Sequence, residues 1–416
     1  MKSIFNSISK IIGGTASAQI ITLLAMPLIS RLYTPENYGV FGIVMAVALV
    51  ASILASFQLH QAIVLPKFEF QAIGLFQITC FSVTVGGVLI SLLFYVFLYF
   101  YPSFFANSSA SALSILTGLL VISIGVGQAS QNLAARLKVY GAISKAIIIR
   151  AAVVVSSQLF IGLIAAGDIG LIIGQILGEI SAFVFYWLMI LPADSCRKLM
   201  RWKRYYVLAR RNKDFVIYGT AQETLSSLSL GVPTILFGIY FGEIVAGCYS
   251  FAFKVLMAPV NLISGAVRQV LSVHFSELKD QPGRLKYNFR IMTVYLFVPT
   301  VLGSLVLMIF SADLFDIIFG VRWREAGEYS TWLLPWCAFV IFGVPASLVF
   351  RVLKKQYIGF FINTFAFFCR TAALVIGGVF YSPIVSIFLF SLAGMISTSI
   401  FIFYAARFVS GEFEKS

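Results

Sequence analysis

Charge is scarce in this sequence. Only 11% of its 416 residues are Asp, Glu, Lys or Arg, whereas a soluble globular domain carries roughly 25%. A chain so poor in charge cannot clothe a water-facing surface, which excludes an ordinary soluble fold. Acid is scarcer than base, with 16 Asp and Glu against 30 Lys and Arg. There are two histidines, and the five cysteines (Cys80, Cys196, Cys248, Cys337 and Cys369) show no paired spacing. Those shortages speak against a disulfide framework and a zinc site, and no metal site is expected. H-E-x-x-H, a nucleophile elbow and a P-loop are all missing, so no catalytic residue or cofactor is expected and ATP is not the direct energy source. A membrane polymerase or ligase acting on lipid-linked glycans is conceivable but would ordinarily carry a large outer loop, and the longest one here, about 312–329, is short. Ala16-Ser17-Ala18 mimics a leader cleavage site, but the apolar run follows it instead of preceding it, so cleavage is not expected.

What is present is apolar: 60% of residues are hydrophobic and mean hydropathy is +0.96. A bilayer accounts for this, because lipid-facing positions must be apolar and one helical span needs about 20 such residues. Stretches of spanning length fall near 11–31, 38–59, 72–100, 111–132, 146–166 and 169–192. A second set falls near 215–240, 245–270, 289–311, 330–350, 359–380 and 383–406. The expectation is an all-α polytopic membrane protein of about 12 transmembrane helices. With the N-terminus inside, 23 of the 30 Lys and Arg lie in inner loops and tails. Only Arg31, Arg322 and Arg324 lie in outer ones, and that bias orients the chain with both termini cytoplasmic. The net charge of +14 is therefore a topology signal, and nucleic acid is not an expected partner.

Residues 193–214 form the only long basic break, eight bases interleaved with Trp202, Tyr205 and Tyr206. They read as a cytoplasmic linker lying on anionic headgroups, with a docking site for a cytoplasmic partner as the alternative. The segment divides the chain into an N-lobe (1–192, helices one to six) and a C-lobe (215–416, helices seven to twelve with a short tail). The halves look related. Helix one ends with Pro27, an acidic turn at Glu36 and Gly39 opening the next span; helix seven ends with Pro233, Glu243 and Gly247. Six spans per half make this a parallel pseudo-two-fold repeat, an arrangement found in transporters.

Ionisable residues at bilayer depth are costly and usually face a cavity. The bases are Arg150, Lys254, Arg268 and Arg370; the acids are Glu179 and Glu223. For Arg150 and Arg370, a turn or two from inner ends, snorkelling competes with cavity lining. Arg31 sits at an outer end and is either interfacial or part of the path. His60 and His274 fall at the cytoplasmic boundary, where a lone histidine is expected to be solvated. On helix seven, Gln222, Glu223, Ser226 and Ser227 share one face, which makes Glu223 the leading ion-coupling carboxylate and Glu179 the weaker one. On helix eight, Lys254, Asn261 and Arg268 are spaced by seven and seven. They therefore lie within roughly 40° of one another along about 21 Å of helix, with Gly265 in the same stripe. Two bases and an amide on one line suit a water-filled path for an anionic group.

Three segments carry a family resemblance. "PLISRLYTPENYGVFGIVMA" (27–46) with "QAIVLP" (61–66), "CYSFAFKVLMAPVNLISGAVRQV" (248–270) and "IFGVRWREAGEY" (318–329) resemble signatures of polysaccharide flippases. These are the Wzx-type O-antigen and exopolysaccharide translocases of the multidrug/oligosaccharidyl-lipid/polysaccharide (MOP) exporter superfamily. The resemblance implies a MATE-like fold of two six-helix lobes around a cavity open alternately to each side. It implies an undecaprenyl-pyrophosphate-linked oligosaccharide as substrate, carried from inner to outer leaflet of the bacterial inner membrane. A proton or sodium gradient is the implied drive, and other glycan-assembly membrane proteins are implied partners. Lys254 and Arg31 match basic positions of the family, whereas Arg268 stands where a small residue is usual and is a candidate for substrate-specific recognition. A peptidoglycan-precursor (lipid II) flippase is the alternative. A multidrug cation exporter fits less well, since buried bases outnumber buried acids by four to two.

Overall fold

The computed structural model describes residues 2–66, 68–105, 109–164, 167–190, 215–278 and 281–410. Among the described residues the structure is all helix, and twelve helical segments are long and apolar enough to cross a membrane. In chain order the first six spans are α1 (Lys2–Leu32), α2 (Pro35–Ser56), α4 (Glu69–Phe100), α5 (Ala110–Arg136), α6 (Tyr140–Ile164) and α7 (Asp168–Ile190). A one-turn helix, α3 (Leu59–Ala62), links α2 to α4. The later spans are α8 (Thr220–Phe241), α9 (Glu243–Glu277), α10 (Pro282–Phe319), the pair α11 (Arg324–Phe342) and α12 (Val344–Val352), then α13 (Gln356–Phe380) and α14 (Pro383–Val409).

The basic segment 193–214 lies outside the described residues. Clustering of the chain's contacts gives two compact units, Met1–Gly247 and Cys248–Ser416. Within the first, α1 packs on α6, α4 on α5, α5 and α6 on α7, and α8 on α2. Two apolar clusters hold it: one joins Leu59 and Ile63 to Leu75, Phe76 and Leu133, the other joins Ile143 and Ala146 to Ala182 and Tyr186. Within the second, α10 packs on α11, and α14 on both α11 and α13, around a core of Phe275, Phe289, Val349 and Phe350.

Local chemistry explains the family-like segments. Thr34 caps α2 in a reciprocal box: its Oγ1 accepts from the Asn37 N–H at 3.3 Å, and Asn37 Oδ1 accepts from the Thr34 N–H at 3.1 Å. Pro35 then fills the first helical position, where no N–H is needed. The preceding Tyr33 is fully buried and donates from its hydroxyl to the Gln158 carbonyl at 2.8 Å, which ties the α1–α2 corner to α6. Burial pushes that phenol up to about 12. Gly39 and Gly247, the glycines noted at matching places in the two halves, meet. A Cβ on Gly39 would fall 1.9 Å from the Glu243 carbonyl oxygen, and one on Gly247 would fall 1.7 Å from that of Pro35. The first turns of α2 and α9 thus touch backbone to backbone, which only glycine permits.

The expected outer loop at 312–329 is instead almost entirely helix. α10 runs on to Phe319, Gly320 turns the chain with φ at 102°, and α11 starts at Arg324. Trp323 is fully buried and stacks on Phe251 at 3.9 Å, Arg324 pairs with Asp313 and Asp316, and Ser311 bonds to Ser330 across the crossing. His60 also departs from expectation. It is buried, not solvated, and its Nδ1 has no partner among the described residues. Burial without a partner for the charged form pushes its pKa down to about 4.

Candidate functional site

α9 runs without a break through Pro259, so the stripe expected on it is kept in line. Its two faces differ sharply. Val260, Ser264, Leu271 and Phe275 turn into the second unit and are buried, while Asn261, Gly265 and Arg268 are exposed. Lys254, one turn before Pro259, is half-buried. The inward residues recur at steps of four, seven and four, as a helix packed along one side requires. Asn261, Gly265 and Arg268 therefore share an exposed face, with the half-buried Lys254 in helical register with them two turns before Asn261.

A second polar cluster lies in the first unit, where α6 meets α7. The contact is close because Gly170, Gly174 and Gly178 line up at intervals of four on α7. A Cβ on Gly174 would fall 2.5 Å from Gln158 Cγ, and one on Gly178 would fall 2.1 Å from Val154 Cγ2. Small residues at that spacing let membrane helices approach. The close approach brings Arg150 of α6 to Glu179 of α7, Nη1 to Oε1 at 3.0 Å. Gln175 Nε2, one turn earlier, donates to the same oxygen at 3.1 Å. Glu179 is buried, whereas the Arg150 side chain keeps 45% of its surface exposed. Arg150 was expected within a turn or two of a helix end. α6 begins at Tyr140, so Arg150 lies ten residues in, about 15 Å along the axis. Its charge is met by Glu179.

The remaining residues singled out in the sequence are dispersed. Arg31 is exposed in the last turn of α1, and Glu223 is exposed in the first turn of α8. Arg370 of α13 sits 5.6 Å from the centre of the Trp336 ring, a cation–π contact, and its Nε donates to the Ala366 carbonyl at 3.2 Å. Trp336 in turn packs against Phe253 and Phe390. The structure thus joins Arg150 with Glu179 and strings Lys254, Asn261 and Arg268 along α9. Within the first unit, Arg31 and Glu223 are not among the residues that line the space beside Arg150 and Glu179. Sequence reading missed Gln175, Gln128 and Gln131 beside Arg150, although the Gly-x-x-x-Gly spacing on α7 marked the place. Among the described residues no three His, Cys, Asp or Glu side chains come together as metal ligands would.

Comparison with known proteins gives a consistent picture. A family model described as "Polysaccharide biosynthesis protein" matches residues 28–328. The lipopolysaccharide biosynthesis protein WzxC of Escherichia coli (strain K12) is 26% identical over 187 residues, 44% of this chain and 37% of WzxC, so the match spans little more than a third of that relative. In fold the chain is similar to a MATE family multidrug resistance transporter of the MOP superfamily, solved facing inward. That likeness has a TM-score of 0.71 and 13% identity, over 98% of this chain and 96% of the other. The lipid II flippase MurJ, inward closed, is similar at TM-score 0.71 and 15% identity, over 95% and 86%. A MOP superfamily transporter from Pyrococcus furiosus, noted for reversed polarity of its binding pocket, gives 0.61 at 12% identity, over 97% and 96%. Identities this low speak to the fold alone.

Proposed function

The chain belongs to the polysaccharide biosynthesis protein family and is a multi-pass membrane protein with the MOP transporter fold; from that premise we propose that it flips a lipid-linked oligosaccharide across a bilayer. The substrate class is a polyprenyl-pyrophosphate-linked glycan repeat unit, carried from the inner to the outer leaflet of the bacterial inner membrane by alternating access. The observation that supports this reading is the polar line along α9, where the half-buried Lys254 and the exposed Asn261 and Arg268 follow one another along about 21 Å. Bases at membrane depth are costly toward lipid and favourable toward an anionic headgroup. A pyrophosphate can pass from one to the next, exchanging one charge-assisted contact for another. Arg31 and Arg370 are proposed as auxiliary bases. Glu223, an exposed carboxylate on the polar first turn of α8, is proposed as the coupling group for a proton or sodium ion. The basic segment 193–214 is proposed to rest on anionic lipids inside the cell.

Charge reversal tests the path. Lys254→Glu and Arg268→Glu should each abolish surface glycan in a strain that depends on this chain, with protein level in the membrane unchanged. Full glycan display by both variants would sink the assignment of this face. The cation-exporter reading predicts no change in surface glycan for either variant.

A further inference from the structure

We propose that the Arg150–Glu179 cluster lines a binding site for one neutral sugar ring, separate from the basic face of α9. The proposal rests on the flippase reading for the presence of a glycan, and on geometry for the place and chemistry of the site. A cavity of about 300 Å³ lies wholly within the first unit, among α2, α5, α6 and α7. That volume is at the lower end of the roughly 300–1,000 Å³ of small-ligand pockets, so it suits one small ligand. Its polar lining is Gln128 and Gln131 from α5, Arg150 from α6, and Gln175, Glu179 and Tyr186 from α7; α2 closes it with apolar side chains.

Charge decides what fits. Arg150 and Glu179 neutralise each other at 3.0 Å, so the cavity has no net charge to attract an ion. A cation would have to displace Arg150 from Glu179, and an anion would have to displace Glu179 from Arg150. What the lining offers in surplus is hydrogen-bonding capacity. Arg150 has five N–H donors, and the pairing with Glu179 uses one of them. Gln128 Oε1 is buried with no partner among the described residues, and such an orphan acceptor costs about 1–3 kcal/mol until something donates to it. Glu179 takes both of its bonds on Oε1, while Oε2 points toward Gly127, where a Cβ would stand 3.3 Å away. The absence of a side chain at 127 keeps that oxygen approachable. Hydroxyl groups both donate and accept, so a ring bearing several of them can donate to Gln128 and Glu179 and accept from Arg150 together. Tyr186, buried beside the pair, offers an aromatic wall for the apolar faces of the ring. Depth adds to the case: Arg150 and Glu179 lie about 15 and 16 Å from the starts of their helices, where an unfilled polar cavity is unfavourable.

Saturation-transfer NMR on the purified full chain in nanodiscs tests this with free monosaccharides, which lack the lipid carrier. Glucose, galactose and N-acetylglucosamine serve as neutral probes, with glucuronate and glucosamine as charged ones. At least one neutral sugar should bind with Kd on the order of 1 mM, and both charged probes should bind more weakly. Gly127→Val, which fills the space beside Glu179 Oε2, should weaken that binding tenfold or more. Gln131→Leu, at an exposed lining position, should weaken it severalfold. Gly303→Ala, far from the cavity in sequence and free of neighbours, should leave it unchanged. The site is refuted if no neutral sugar binds, if a charged probe binds more tightly, or if binding survives in both lining variants, as it would for a void that holds water alone. The two readings fail separately. Flipping without monosaccharide binding removes this site and keeps the transporter. Monosaccharide binding with undiminished glycan display in the α9 variants removes the proposed path and keeps the cavity.

Discussion

At the scale of single residues, two buried polar groups differ in whether they are satisfied. Glu179 has Arg150 and Gln175; the His60 Nδ1 has no partner among the described residues. The ordinary histidine pKa is about 6.5, and burial holds His60 near 4, so the folded protein resists a proton that the unfolded chain accepts. Stability contributed by neutral His60 is therefore complete above pH 6.5 and is lost as pH falls toward 4. The loss is on the order of 3 kcal/mol at its largest. His60→Leu should flatten that acid limb; Tm in detergent from pH 7.5 to 4.5 reads it, and an unchanged slope would show that other groups set it. For Glu179 the expectation is a rescue. Arg150→Ala strands a buried carboxylate and should cost about 1–3 kcal/mol, less than for a fully buried pair because Arg150 is half exposed. Adding Glu179→Gln should recover most of the lost Tm, since an amide needs no counter-charge. No recovery would mean that Arg150 stabilises through packing of its stem.

At the scale of helices, hydropathy carried nearly all of the fold. Twelve apolar stretches in the sequence correspond to twelve spans, because in lipid only a helix satisfies its own backbone. What hydropathy could not carry was where helices touch. The 312–329 stretch reads as a loop on its Asp, Arg and Glu content, yet Arg324 pairs with Asp313 and Asp316 and the charges cap a helical corner. The helical register of Lys254, Asn261 and Arg268 on α9 was legible from spacing, since register needs only the helical period. The Arg150 cluster was not, because it depends on glycines of α7 that let α6 approach. Gly178→Val should therefore drive α6 from α7, weaken the Arg150–Glu179 contact and lower Tm by an amount equivalent to roughly 1–3 kcal/mol. Gly303→Ala, where a Cβ meets nothing within 4 Å, should change Tm little. Equal losses in the two variants would show that close packing is not what the α7 glycines serve.

At the scale of the whole molecule, the question is which side of the membrane each end of a span occupies, and hydropathy is blind to it. The distribution of basic residues supplies the direction: 23 of 30 fall on one side, in segments such as 193–214 and Arg351 to Lys355. Arg31, Arg322 and Arg324 fall on the other. An anionic inner leaflet and the membrane potential both hold cations inside, so we propose that side as the cytoplasmic one. The assignment matters for transport, because it sets which end of the α9 stripe meets the substrate first. In the proposed orientation Arg268 is toward the inner end and Lys254 toward the outer, so a headgroup loaded from inside would reach Arg268 before Lys254. Single cysteines in a chain cleared of its five native ones test the orientation. Tyr205→Cys, in the basic segment, should resist a membrane-impermeant maleimide applied to intact cells and react once they are opened. Arg322→Cys, exposed at the α10–α11 corner, should react in intact cells. The reverse pattern would invert the molecule, place Lys254 at the entrance and overturn the order of contacts proposed for the path.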